Sequence, residues 1–167
     1  MSRISVLMLI SVFLAFTACG GKQAKDTPNV GSMDWGAWVK ASNKQLEKVP
    51  VKGFAYKSSS VPAQKWDKWA RTAAPVVKGI IDKLPKGYVF QVTGHTDARG
   101  PEEPEGNKPG NIKISQDRAN SVRAALKRQG INSPKLTAKG VGSAQPLEGV
   151  STRSATQRRV SFVVVPE

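Results

Sequence analysis

Val92-Thr-Gly-His-Thr-Asp97-Ala-Arg-Gly100, a Pro/Glu/Gly-rich insert over 101–110, and Asn111-Ile-Lys-Ile-Ser-Gln-Asp-Arg118-Ala119 form the stretch on which the fold turns. Tyr88 to Thr93 alternates as a strand does, with Tyr88, Phe90 and Val92 on one side and Val89, Gln91 and Thr93 on the other. Such a strand delivers Asp97 to its C-terminal end. A helix is expected to open near Ser115, with Ser115 as its cap and Arg118 in its first turn. Ala119, Val122 and Leu126 form its buried stripe, and Gly130 supplies a left-handed stop. One carboxylate and one guanidinium, placed by adjoining elements, suit a ligand that carries both an ammonium and a carboxylate. The same two side chains equally suit an ion pair with each other.

Outward from this stretch, the chain continues as alternating elements. Toward the C-terminus, Leu136-Thr-Ala-Lys-Gly140 reads as a strand, 141–156 as a Gly- and Ser-rich loop, and Val160 to Val165 as a last, most apolar strand. Toward the N-terminus, Phe54 to Lys57 alternates as a short strand. Ser58 to Pro62 then opens a helix, with Pro62 near its first position. Trp66, Trp69, Ala70, Ala73, Val76, Val77, Ile80, Ile81 and Leu84 recur at helical spacing, Pro75 is expected to kink or split this helix, and Pro85-Lys-Gly87 ends it. Trp35 and Trp38 repeat the three-residue spacing of Trp66 and Trp69. That spacing favours packing against the domain over stacking on sugars. Ser32 is placed to cap a short helix with Asp34 in its first turn. The order β-α-β-α-β-β implies an α/β (α+β) sandwich, a mixed sheet with helices on one face.

The ends and the composition set the compartment. Met1-Ser-Arg3 followed by the 13-residue apolar run Ile4 to Phe16 suits a signal segment and is too short to span a bilayer. Thr17-Ala18-Cys19-Gly20 resembles the lipobox of bacterial lipoproteins, with Phe16 where Leu is usual. The resemblance implies cleavage after residue 18 and lipidation of Cys19, and two or more acyl chains anchor a protein durably. The expected organisation is a signal peptide over 1–18, lipidated Cys19 with a tether and short helical segment over 19–50, and a globular domain over 51–167. Cys19 is the only cysteine of 167 residues, which excludes an intramolecular disulfide and a cysteine metal cage. The net charge of +14 favours anionic partners, but no run of five Lys/Arg occurs and no nucleic-acid motif is present. No metal, no cofactor and no nucleic acid are expected.

Gly94-His-Thr-Asp97, Asn111-x-x-Ile114-Ser-x-x-Arg118-Ala119-x-x-Val122, Gly140-x-Gly142 with Pro146, and Arg158-Arg-Val160 resemble the OmpA C-terminal (OmpA-like) domain family over roughly residues 53–166. With the lipobox and the enlarged loop, the chain resembles in particular the OmpA-domain surface lipoproteins of spirochaetes. The resemblance implies non-covalent binding of peptidoglycan through the diaminopimelate of its stem peptide. It matches Asp97 to the aspartate that pairs with the ligand ammonium and Arg118 to the arginine that pairs with its carboxylate. It further implies that Thr96 and Asn111 shape the pocket and that Arg158 lies near the ligand carboxylate. Two departures stand out: Gln157 replaces an Asn of the family signature, and the insert over 101–110 widens the Asp97–Arg118 spacing.

The residues then imply a chemistry. A zwitterion needs an anionic acceptor and a planar donor fork, which Asp and Arg supply, and the helix N-terminus is expected to add donors for the carboxylate. His95, the one histidine, reads as a hydrogen-bonded structural residue. Ser115 has no base in sight, so no enzyme activity is expected. Arg158-Arg159 also suits an ordinary basic entry to a strand. The insert's Glu102, Glu103 and Glu105 suit either a solvated loop or a contact for a second partner. The expected function is an outer-membrane lipoprotein, lipid-anchored at the periplasmic face or cell surface, linking membrane to peptidoglycan. The alternative is a surface-exposed lipoprotein of adhesin or virulence type, binding host or extracellular-matrix macromolecules.

Overall fold

The computed structural model describes residues 33–167; the leader, Cys19, the tether and Ser32 lie outside them. The element order is α1 (Trp35–Leu46), β1 (Val51–Lys52), α2 (Ala63–Asp82), β2 (Tyr88–Gly94), α3 (Gly110–Arg128), β3 (Leu136–Gly140), a 3-10 turn over Ala155–Gln157, and β4 (Arg159–Pro166). The sheet runs β1-β4-β2-β3. β2 and β3 are parallel, joined by α3, as a parallel pair requires a crossover. β4 inserts antiparallel beside β2, with Val92 opposite Phe162 and Phe90 opposite Val164. This is the mixed sheet read from the sequence, and from β1 onward the order is the expected one.

The even-numbered positions of β2 and β4 make one face. Phe90, Val92, Val160, Phe162 and Val164 join Val77, Ile80 and Ile81 of α2 and Ala119, Val122 and Leu126 of α3 in a single core. Each Val, Leu, Ile or Phe side chain among these, fully buried, contributes about 1.5–3 kcal/mol. Trp66 and Trp69 belong to this core: they stack at 4.9 Å, Trp69 meets Phe162 at 5.4 Å, and its indole N–H donates to the Val49 carbonyl at 2.7 Å. Trp35, by contrast, is exposed and meets Trp38 edge-on at 6.0 Å. Pro75 does not split α2. It and Arg71, whose carbonyl loses its helical donor, both face solvent, where water replaces the bond.

α1 packs on β4. Asp34, expected in its first turn, is itself the cap and accepts the Ala37 N–H at 3.0 Å. Because β1 is only two residues long, it pairs with β4 at residues 159 and 160 alone. Beyond it, Asn43 takes the place of a strand residue: its Oδ1 accepts the Val164 N–H at 2.7 Å and its Nδ2 donates to the Val164 carbonyl at 3.0 Å.

The strand expected over Phe54–Lys57 lies instead at Val51–Lys52. Gly53, at φ +95°, turns the chain out of the sheet, and the carbonyls that follow bind side chains instead of a neighbouring strand. Phe54 is buried nonetheless, at 1% exposure.

Candidate functional site

Two glycines set the geometry. Gly94 ends β2 and Gly140 ends β3, side by side in the parallel register. A Cβ on Gly94 would stand 1.9 Å from the Ser115 carbonyl oxygen, and one on Gly140 2.3 Å from the Gln116 nitrogen. Bare backbone at both strand ends therefore lets the middle of α3 rest on them. Ser115 fixes the contact. Its hydroxyl donates to the Ile112 carbonyl at 2.8 Å and accepts the Gly142 N–H at 2.8 Å, while Gln116 Oε1 accepts the Gly140 N–H at 2.8 Å. Ser115 is thus a fully buried mid-helix residue and not the expected cap.

α3 opens earlier than expected, at Gly110, so Arg118 stands in its third turn and not its first. The reason lies in the insert. Pro101 and Glu102 carbonyls accept the Asn111 and Ile112 N–H groups at 2.9 and 3.0 Å, so residues before Ser115 are held helical. These first-turn donors are consequently satisfied inside the chain, and the expected donation from the helix N-terminus to a ligand does not arise from them. The insert is also tied down rather than simply solvated. Glu102 accepts from Asn111 Nδ2 at 3.1 Å, from the Ser143 N–H at 3.2 Å and from the Ser143 hydroxyl. Glu102, Glu103 and Glu105 all remain exposed.

Arg118 is 1% exposed. Its Nε donates to the Ser58 carbonyl at 2.8 Å, Nη1 to His95 at 2.8 Å and Nη2 to Ala55 at 3.1 Å. The segment expected as a strand is in fact folded around this guanidinium. Burial and the neighbouring Arg158 guanidinium, opposed by Asp97, lower the Arg118 pKa to about 10, which leaves it cationic at neutral pH.

Asp97 follows β2 on a backbone held by the Thr96 N–H to the Gly142 carbonyl at 2.9 Å and the Ala98 N–H to the Thr152 carbonyl at 2.8 Å. It does not pair with Arg118. Its Oδ2 accepts from Arg158 Nη1 at 2.7 Å and Arg99 Nη2 at 2.7 Å, and its Oδ1 from Arg99 Nε at 3.2 Å and the Arg99 N–H at 3.2 Å. Burial alone would raise its pKa; the hydrogen bonds from Arg99 and Arg158 outweigh that and hold it below the usual carboxylate value. Arg158 is itself oriented by the Phe54 carbonyl at 2.8 Å.

All five residues named from the sequence, Thr96, Asp97, Asn111, Arg118 and Arg158, line one cavity of about 270 Å³. Thr96 Oγ1 is buried there without a hydrogen-bond partner. Cys19 lies outside the described residues. The sequence reading missed Arg99, Tyr56 and Lys57, which also line the cavity. Arg99 had a signal, since a residue two beyond an Asp readily closes a local side-chain turn; Tyr56 and Lys57 had none. Among the described residues, no cluster of His, Cys, Asp and Glu is arranged to hold a metal, and no helix is long and apolar enough to cross a membrane.

His95 is the buried structural residue expected. Its Nε2 lies 2.8 Å from the Ser161 hydroxyl, its backbone joins Arg159 and Arg118, and its Nδ1 has no partner. Burial, reinforced by the Arg159 charge, lowers its pKa to about 3. Gln157, the departure from the signature, does structural work in the loop: its Oε1 accepts the Leu147 N–H at 2.8 Å and its Nε2 donates to Val150 and Ser151 carbonyls at 3.1 and 3.2 Å.

A model of the OmpA family matches residues 69–159. The probable lipoprotein YiaD of Escherichia coli (strain K12) is 34% identical over 89 residues, which cover 52% of this chain and 37% of that protein, so the match spans little more than a third of the relative's length. The peptidoglycan-associated lipoprotein of Burkholderia pseudomallei is similar in structure at a TM-score of 0.54 and 27% identity, over 72% of this chain and 92% of that one. The C-terminal domain of Helicobacter pylori MotB shares the fold at a TM-score of 0.52 and 20% identity, over 71% of this chain and 86% of that one.

Proposed function

This chain belongs to the OmpA family, and on that premise we propose that it is a lipoprotein that binds peptidoglycan non-covalently and ties an outer membrane to the cell wall through acyl chains on Cys19. The binding reading is supported by its likeness to a protein named a peptidoglycan-associated lipoprotein. The anchor reading is supported by a relative named as a lipoprotein, together with the lipobox around Cys19.

The observation that carries the proposal is the meeting of Asp97, Arg118 and Arg158 in one small cavity. The ligand is the zwitterionic end of a diaminopimelate side chain. Its ammonium goes to Asp97 and its carboxylate to Arg118, where Nη1 and Nη2 each carry a second N–H beyond the one given to a carbonyl. Thr96 Oγ1 and Asn111 complete the wall. Each charge-assisted hydrogen bond contributes roughly 1.5–3 kcal/mol net, so three or four give micromolar-range binding after association costs. The site acts as a binding module and performs no chemistry.

Co-sedimentation with purified peptidoglycan tests this. Wild type is expected in the pellet; Asp97→Asn, which keeps the shape and removes the charge, stays in the supernatant. Equal pelleting of both sinks the reading.

A further inference from the structure

Arg99 closes the cavity over Asp97. Nε and Nη2 reach the two carboxylate oxygens at 3.2 and 2.7 Å, and the guanidinium carbon lies 4.3 Å from the centre of the Tyr56 ring. With Arg158 on Oδ2, both oxygens of Asp97 accept from cations before any ligand arrives. The two guanidiniums are held unequally. Arg158 is anchored by the Phe54 carbonyl and its side chain is 12% exposed. Arg99 is 34% exposed, and its side-chain hydrogen bonds all end on Asp97. Arg99 is therefore the one that can yield.

Charge sharpens the point. Arg99, Arg118 and Arg158 face a single carboxylate, Asp97, so the lining carries a cationic surplus. An incoming ammonium meets that surplus and has to replace a cation on Asp97. An incoming carboxylate meets free N–H donors and needs no rearrangement. A ligand with two carboxylates near its tip neutralises the lining more fully than one with a carboxylate and an ammonium.

We propose that Arg99 is the specificity-determining residue of this pocket: it stands in for the ligand ammonium on Asp97, so that carboxylate-only ligands bind with Arg99 in place and a zwitterion binds only when Arg99 swings away across Tyr56. The inference rests on the proposed ligand site and assigns it a preference: an anion-rich stem peptide over an isolated zwitterion. Tyr56 supplies a ring face on which the released guanidinium keeps a favourable contact.

The test compares two seven-carbon probes, meso-diaminopimelate and pimelate, which differ only in the two amino groups. Isothermal titration uses the full chain as wild type, Arg99→Gln and Arg99→Lys. Wild type is expected to bind pimelate more tightly than meso-diaminopimelate, by up to about tenfold; the reverse order overturns the preference. In Arg99→Gln the uncovered Asp97 favours the ammonium, so diaminopimelate tightens by roughly tenfold, the effect of one charge-assisted hydrogen bond gained, while pimelate weakens. Arg99→Lys, which keeps the cation, falls between. Equal weakening of both probes in Arg99→Gln, or no change in either, overturns the role of Arg99 while leaving peptidoglycan binding by wild type intact. Failure of wild type to bind either probe overturns the ligand site and this inference with it.

Discussion

Around Arg118 the cavity wall is made by backbone; around Arg99 the rim is made by two side chains. Arg118 gives its donors to three carbonyls from two separate segments, and its position follows from the glycine contact between α3 and the strand ends. Arg99 rests on one carboxylate and one ring. The first arginine is part of what holds residues 55–58 and 95 together, so the fold and the site cannot be separated there. The second has no side-chain hydrogen bond to the backbone and so ties no distant segment in place. A pocket built this way has a wall fixed by backbone around Arg118 and a rim around Arg99 that only side chains hold.

That division can be broken at several points. The largest expected effect is Arg118→Ala. It strands the carbonyls of Ser58 and His95, while Ala55 keeps the Ser58 N–H; each unpaired acceptor costs about 1–3 kcal/mol, for a total of about 2–6 kcal/mol. Urea denaturation should show a lower midpoint at an unchanged slope. Gly94→Ala tests the contact that places the wall. Its methyl meets a backbone carbonyl rather than a mobile side chain, and α3 must shift at a cost of about 3 kcal/mol. Peptidoglycan binding should fall with stability in this variant; unchanged binding would show that the helix position does not set the site.

His95 offers a pH test of the inner wall. Its folded pKa is about 3 against 6.5 unfolded. Between those values the unfolded chain binds a proton that the folded one refuses, so stability falls as pH drops. The expected loss is about 2 kcal/mol from pH 6.5 to 4.5, and His95→Gln should flatten that slope. Asp97, with its pKa held low by Arg99 and Arg158, adds to the loss only below its unfolded value of 3.8. Ser115→Ala is milder: it leaves the Gly142 N–H without its acceptor, at about 1–2 kcal/mol. Arg99→Gln should lower the melting temperature only slightly, because Arg158 stays on Asp97. A fall comparable to that of Arg118→Ala would erase the distinction between wall and rim.

Much of this was legible in the chain. β3 runs Leu136–Gly140 as expected, and the stripe from Trp66 to Ile81 is the buried face of α2 except at Val76, which the helix turns to solvent. The family resemblance set Thr96, Asn111 and Arg158 beside Asp97 and Arg118, and all five line one cavity. The failures share a cause: each depends on a contact distant in sequence. α3 begins at Gly110 because carbonyls of the insert accept its first N–H groups. Phe54–Lys57 leaves the sheet because Arg118 and Arg158 draw its carbonyls. Asp97 and Arg118, which charge alone would join, stay apart because each finds other partners first. Pro75 is tolerated because its position on α2 faces water, a matter of helix rotation that a local rule about proline does not include.

The side-chain amide of Asn43 on Val164 has a consequence for the molecule among its own copies. With β1 beginning only at Val51, the outer side of β4 would present unpaired main-chain groups beside Val163 and Val165, an invitation to strand addition by a neighbour. The amide occupies both groups of Val164, and α1 covers that flank. The most apolar strand is thereby shielded at Val164 from pairing with a second copy.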